Sequence, residues 1–180
     1  MRRAFQGIVC FVCTATIAAC SNAPRAPDFT LVDDAGHPWT LSQQHGKGII
    51  LTFGFTHCRD TCPATVAKLE RVAASAHRRG APVEVAFVTV DPSRDTVPVI
   101  HRFVDRFGSS QAPVVGLTGA KPQIQRAAAS YHVWFAPARD DIAHTAVIFF
   151  IDPNGRLIAT HDDDDSQAVL AQTLAATVPP

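Results

Sequence analysis

The sequence predicts an α/β protein, with a central mixed, mostly parallel sheet flanked by helices and preceded by an N-terminal β-hairpin. Three observations predict it. Long apolar runs at residues 49–53, 83–90 and 145–151 have the continuous Ile/Val/Phe character of strands buried on both faces. Segments with helical spacing lie between them, and turn signals punctuate the chain.

In order, residues 29–41 read as the hairpin, with Asp34-Ala35-Gly36 as its turn. After the strand at 49–53, Val66, Leu69, Val72, Ala73 and Ala76 recur at helical spacing, and Gly80 suits the helix C-terminus. A strand at 83–90 leads through a polar turn at 91–96 to a helix at 97–107. A short strand at 114–117 and a helix at 122–131 follow. The strand at 145–151 runs into Asp152-Pro153-Asn154-Gly155, with Pro at the second turn position and Gly at the fourth. A hairpin strand at 156–160 and a helix at 167–176 finish the chain. Strands alternating with helices, then a hairpin and a helix, is the order of a thioredoxin-like fold with an N-terminal hairpin and one inserted helix–strand segment.

A chain of 180 residues with 47% hydrophobic content suffices for one packed domain. Its 16 basic and 16 acidic residues balance, which argues against a nucleic-acid binder. The N-terminus reads separately. Arg2 and Arg3 precede an uncharged, mostly apolar stretch from Gly7 to Ala19, too short to span a bilayer, so residues 1–19 are expected to be a secretory signal. Ile17-Ala18-Ala19-Cys20 resembles a bacterial lipobox, which implies lipidation at Cys20 and a membrane-anchored lipoprotein facing the periplasm. Residues 20–27 then form a tether and 28–178 the domain. Loss of the signal removes Cys10, Cys13 and the single methionine, leaving Cys58 and Cys62 as thiols once Cys20 is acylated.

Those two cysteines stand where a buried strand gives way to a helix, in Gly54-Phe55-Thr56-His57-Cys58-Arg59-Asp60-Thr61-Cys62-Pro63. Helix N-termini favour anions, so both thiols are expected to ionise more readily than free cysteine. A Cys-x-x-Cys spacing would suggest a dithiol catalyst. Here the spacing is four, which puts both sulfurs on one helix face. Two thiolates so placed suit a soft cation, Cu(I) or Zn(II), without separating the two.

This segment resembles the copper-site motif of the Sco/SenC family. Two further blocks agree in order: Val88-Thr89-Val90-Asp91-Pro92-Ser93-Arg94-Asp95-Thr96, with Gly116-Leu117-Thr118-Gly119 after it, and Ala143-His144-Thr145 running into Phe150-Ile151-Asp152-Pro153-Asn154-Gly155. The resemblance implies a thioredoxin-fold metallochaperone that binds copper through Cys58, Cys62 and His144. It also implies a role in assembling the binuclear copper centre of cytochrome c oxidase, so that the partner is its copper-bearing subunit or another periplasmic copper protein. The chain departs from the family pattern at Arg59, where Pro is usual, and at Ala143, where Asp is usual. The second change removes an acceptor for the histidine, and Asp140 and Asp141 are the nearest acids in sequence to replace it.

Other polar groups receive simpler readings. His57 is expected to be a solvated ring, His161 and Asp162 to Asp165 a solvated run leading into the last helix, and Arg94-Asp95-Thr96 a helix cap. The main alternative is a thiol–disulfide oxidoreductase using Cys58 and Cys62 without metal. A peroxidase would need Thr at Phe55 and Pro at Leu51, which disfavours it.

Overall fold

The computed structural model describes residues 23–58, 60–109, 112–138 and 141–178. The expected signal at 1–19, Cys20, Arg59 and Asp140 lie outside these residues.

Seven strands form one sheet. In chain order they are β1 (Thr30–Asp33), β2 (Pro38–Thr40), β3 (Gly48–Gly54), β4 (Val83–Thr89), β5 (Val114–Thr118), then β8 (Val147–Ile151) and β9 (Leu157–Asp162); a separate two-stranded sheet holds β6 (Phe135–Ala138) and β7 (Asp141–His144). The helices are α1 (Thr61–His77), α2 (Val97–Val104), α3 (Lys121–Ser130) and α4 (Gln167–Thr177). The sheet order is β2-β1-β5-β4-β3-β8-β9. The central pairs β3–β4 and β4–β5 are parallel, as their crossover helices require, and the outer pairs are antiparallel.

Every residue of β3 and β4 is buried, which is why their sequences are nearly continuous apolar runs. Alternation along the strands sends neighbours to opposite layers. Leu51 and Phe53 face the layer of α2 and α3, whereas Ile50 faces Leu69, Val72, Leu170 and Leu174 from α1 and α4. Gly80 takes φ +85° after α1, the left-handed conformation that ends helices. This is the thioredoxin-like sandwich that the element order predicts, N-terminal hairpin included. No helix among the described residues is long and apolar enough to cross a membrane.

One expected strand is divided. The apolar run at 145–151 contributes β8 only from Val147, because Thr145 pairs with Trp134 instead, its N–H donating to the Trp134 carbonyl at 2.9 Å. The preceding residues form β7, which pairs with β6 as an arm outside the main sheet. Pro137 within β6 is tolerated because a two-stranded ribbon leaves one edge of each strand unpaired.

Candidate metal centre

The cysteine segment begins where β3 ends. Gly54 closes the strand because a side chain there has no room: a Cβ would lie 2.8 Å from the Phe87 ring and 3.0 Å from Cys62 Sγ. Phe55 turns inward and is buried. Residues 55–58 then form a turn, with the Cys58 N–H approaching the Phe55 carbonyl at 3.4 Å. Cys58 is partly exposed, Cys62 is buried, and both are free thiols. The Cys62 N–H, in the first turn of α1, donates to Cys58 Sγ at 3.3 Å. The first main-chain N–H groups of the helix end thus include one aimed at the Cys58 sulfur.

Cys62 behaves otherwise. Burial pushes its thiol up from an ordinary 9.0 to about 12; a hydrogen bond with the Phe55 main chain opposes this, and the nearby Cys58 and Asp163 reinforce it. The expectation that both thiols ionise readily is thus corrected for Cys62, because desolvation outweighs the helix end.

His144 is the last residue of β7, opposite Phe135. It lines a small cleft together with Cys62, Thr52, Phe53, Thr65 and Asp163. Its ring meets the ring of Phe55 edge-on, with centroids 5.9 Å apart. His144 Nδ1 lies 3.1 Å from the Thr145 carbonyl. A carbonyl can only accept, so Nδ1 carries the proton in this contact and Nε2 presents a lone pair. The acceptor missing at Ala143 is thereby supplied by main chain. Asp141 does not supply it: it pairs with Ala138 at the far end of the arm, and its carboxylate accepts from the Ile142 N–H.

The structure thus brings Cys58 and Cys62 together and sets His144 in the wall of the cleft that Cys62 lines. Among the described residues, no three His, Cys, Asp or Glu side chains stand close enough to share one ion in this conformation. The donor set, two thiols and an imidazole with an accessible lone pair, is that of a soft or borderline cation.

Four further residues matter that sequence reasoning missed or misassigned. Asp163 lines the cleft, while Lys68 holds the main-chain carbonyls of Asp163 and Asp165. Gly54 was legible only as a glycine ending a buried strand. Asp95 was read as a helix cap, yet α2 is preceded by Thr96 with no side-chain capping bond, and the Asp95 carboxylate turns the other way, into the core beneath the cysteine segment. Other expectations need less change. His57 is half exposed, and His161 is held by Asp165 at 2.7 Å and Thr173 at 2.9 Å.

A sequence model of the SCO1/SenC family matches residues 18–179. The chain belongs to the SCO1/SenC family. Among its relatives, the protein named "Protein SCO2 homolog, mitochondrial" of Bos taurus is 35% identical over 136 residues, covering 71% of this chain and 50% of that protein. The chain spans about half the length of the curated relatives it matches. Of solved structures, Arabidopsis thaliana ScoI with copper bound is 31% identical with a TM-score of 0.76, covering 83% of this chain and 94% of that one. Bradyrhizobium japonicum ScoI with copper bound is 27% identical with a TM-score of 0.72, covering 86% and 99%.

Proposed function

We propose that this SCO1/SenC protein is a copper metallochaperone that carries its ion on Cys58, Cys62 and His144 and serves the copper-bearing subunit of cytochrome c oxidase. The observation that carries the reading is a pair of neighbouring thiols, one of which lines the same cleft as a half-buried imidazole whose Nδ1 is engaged by main chain. Relatives solved with copper bound support the choice of copper over zinc. Copper here is cargo. Its arrival displaces the thiol protons, including that of Cys62, since only thiolates bind it. His144 comes from a separate two-stranded arm, so completing the coordination shell needs a local adjustment of that arm and leaves the sheet unchanged. Three-coordination leaves room for a partner's thiol, so the ion can pass by ligand exchange. Lipidation at Cys20 would hold the domain beside a membrane-embedded client on the periplasmic side; this placement rests on the N-terminal residues alone.

The test is a Cu(I) titration of the reduced protein against a competing chelator. Binding is expected to fall by orders of magnitude in Cys58→Ser and at least tenfold in His144→Ala. Affinities unchanged in either variant would overturn the assignment.

A second reading rests on the unequal exposure of the thiols. In a disulfide reductase the accessible Cys58 would attack a target disulfide and the buried Cys62 would then displace the target, leaving a Cys58–Cys62 disulfide and two target thiols. That activity would survive His144→Ala, which separates the two readings.

A further inference from the structure

The segment following β4 holds a carboxylate with no exposure to solvent. Asp95 is fully buried, and among the described residues the one basic side chain within ion-pair distance is the half-exposed His57 ring, whose Nδ1 lies 3.5 Å from Asp95 Oδ1. Burying a carboxylate without a firm ion pair is costly unless hydrogen bonds replace its hydration. Three do. The Thr56 N–H donates to Oδ2 at 2.9 Å, the Thr56 hydroxyl to Oδ1 at 2.5 Å, and the Thr89 hydroxyl to Oδ2 at 2.6 Å. Thr89 Oγ1 in turn accepts from the Asp91 N–H at 2.9 Å, and the Thr118 hydroxyl donates to the Asp95 carbonyl at 2.8 Å. Asp95 is thus fixed from β4 and β5 and spends two of its three bonds on Thr56.

Thr56 is the first central residue of the turn that presents Cys58. On its other side Phe55 abuts the His144 ring. A clamp at Thr56 therefore bears on Cys58 through the turn and on His144 through Phe55. A helix cap would have been satisfied by α2 alone and would have no reason to reach a residue 39 positions earlier.

We infer that Asp95 is a positioning residue for the thiol site: its buried carboxylate holds the 55–58 turn in the conformation that keeps Cys58 Sγ on the N-terminal turn of α1 and Phe55 against His144. The inference deepens the copper reading and rests on it for its consequence in metal affinity. Its geometric half concerns the apoprotein.

The experiment compares the reduced full chain with Asp95→Ala, Asp95→Asn and Thr56→Val. Two quantities are read at a temperature where circular dichroism shows each protein folded: Cu(I) affinity by chelator competition, and the alkylation rate of Cys58 by iodoacetamide, followed by mass spectrometry. Asp95→Ala is expected to weaken Cu(I) binding at least tenfold and to change the Cys58 alkylation rate at least fivefold. Asp95→Asn can still accept from Thr56 N–H and is expected to recover most of both. A merely structural role would lower the melting temperature and leave affinity and rate of the folded protein within twofold of wild type; that result overturns the inference, as does an Asp95→Asn variant no better than Asp95→Ala. If Asp95→Ala does not fold, Thr56→Val, which removes the hydroxyl bond to Oδ1 and the 3.3 Å contact with His57 Nδ1 but keeps the N–H bond to Oδ2, is judged by the same criteria with a threefold threshold. If wild type fails to bind Cu(I), the metallochaperone reading falls by itself, and the alkylation rates alone decide on Asp95.

Discussion

The two regions that carry the candidate ligands are built differently. The 54–62 segment is part of the core: Gly54 is packed on Phe87 and Cys62, Phe55 is buried, and Asp95 secures Thr56 from below. The His144 arm is a two-stranded ribbon outside the main sheet, with Asp141 and Ala143 exposed and Trp134 61% exposed at its base. The first is enclosed by packing, whereas the second rests on the core through the partly buried Phe135 and Ile142, ribbon hydrogen bonds and the ring contact of His144 with Phe55. The difference teaches how the proposed site could combine a fixed pair of thiols with a more adjustable third donor. In the proposed copper site, two of the three donors would stand on the buried segment and the third on the more exposed arm.

The sharpest way to break this comparison is to cut the contact between the two regions. Phe55→Ala empties a fully enclosed ring site and should destabilise the domain by about 3–5 kcal/mol, whereas His144→Ala, at the arm's end of the same contact, should cost less than about 1 kcal/mol. Denaturant midpoints of the two variants check it; equal losses would mean that the arm is as much a part of the core as the turn.

Next in size is Gly54→Ala. Its added methyl meets an aromatic ring and a sulfur. Overpacking of this kind should cost about 1–3 kcal/mol, and it should move Cys62 Sγ, seen as a changed alkylation rate for that thiol.

A pH effect should distinguish the regions as well. Cys62 has its folded value raised from 9.0 to about 12 by burial, so above pH 9 the unfolded chain sheds a proton that the folded chain retains. Stability from this group is complete below pH 9 and is lost as pH rises toward 12. Tyr131, also held up by burial, acts with the same sign. The expected result is therefore a difference: apoprotein of Cys62→Ala should lose less stability between pH 8 and 10.5 than wild type does, by denaturant melts at each pH.

The smallest effect is expected on the exposed face of the arm. Asp141→Asn should change stability by no more than about 0.5 kcal/mol and leave Cu(I) affinity unaltered. A loss of affinity there would restore Asp141 as the acceptor behind His144 and sink the role given to the Thr145 carbonyl.

Much of this was legible in the sequence because it depends on local periodicity and on side-chain chemistry. The buried strands β3 and β4 announce themselves as apolar runs, α1 by the spacing from Val66 to Ala76, and the thiol pair by its fourfold separation at a strand-to-helix corner. The arm was not legible. Four-residue strands interrupted by Pro137 carry no clear period, and β-branched residues at Thr145 and Val147 look alike although they pair with different partners.

By itself, then, the sequence determined the layer architecture, the identity of the soft donors and the corner on which two of them stand, since each follows from neighbours within a few positions. Only the tertiary structure decided which environment each group meets. Cys62 became a poor acid because its side chain packs into the core against Gly54, and Asp95 turned from its helix to Thr56 because β4 ends beside β3. Desolvation and long-range hydrogen bonding are set by residues far apart in the chain, and no local pattern encodes them.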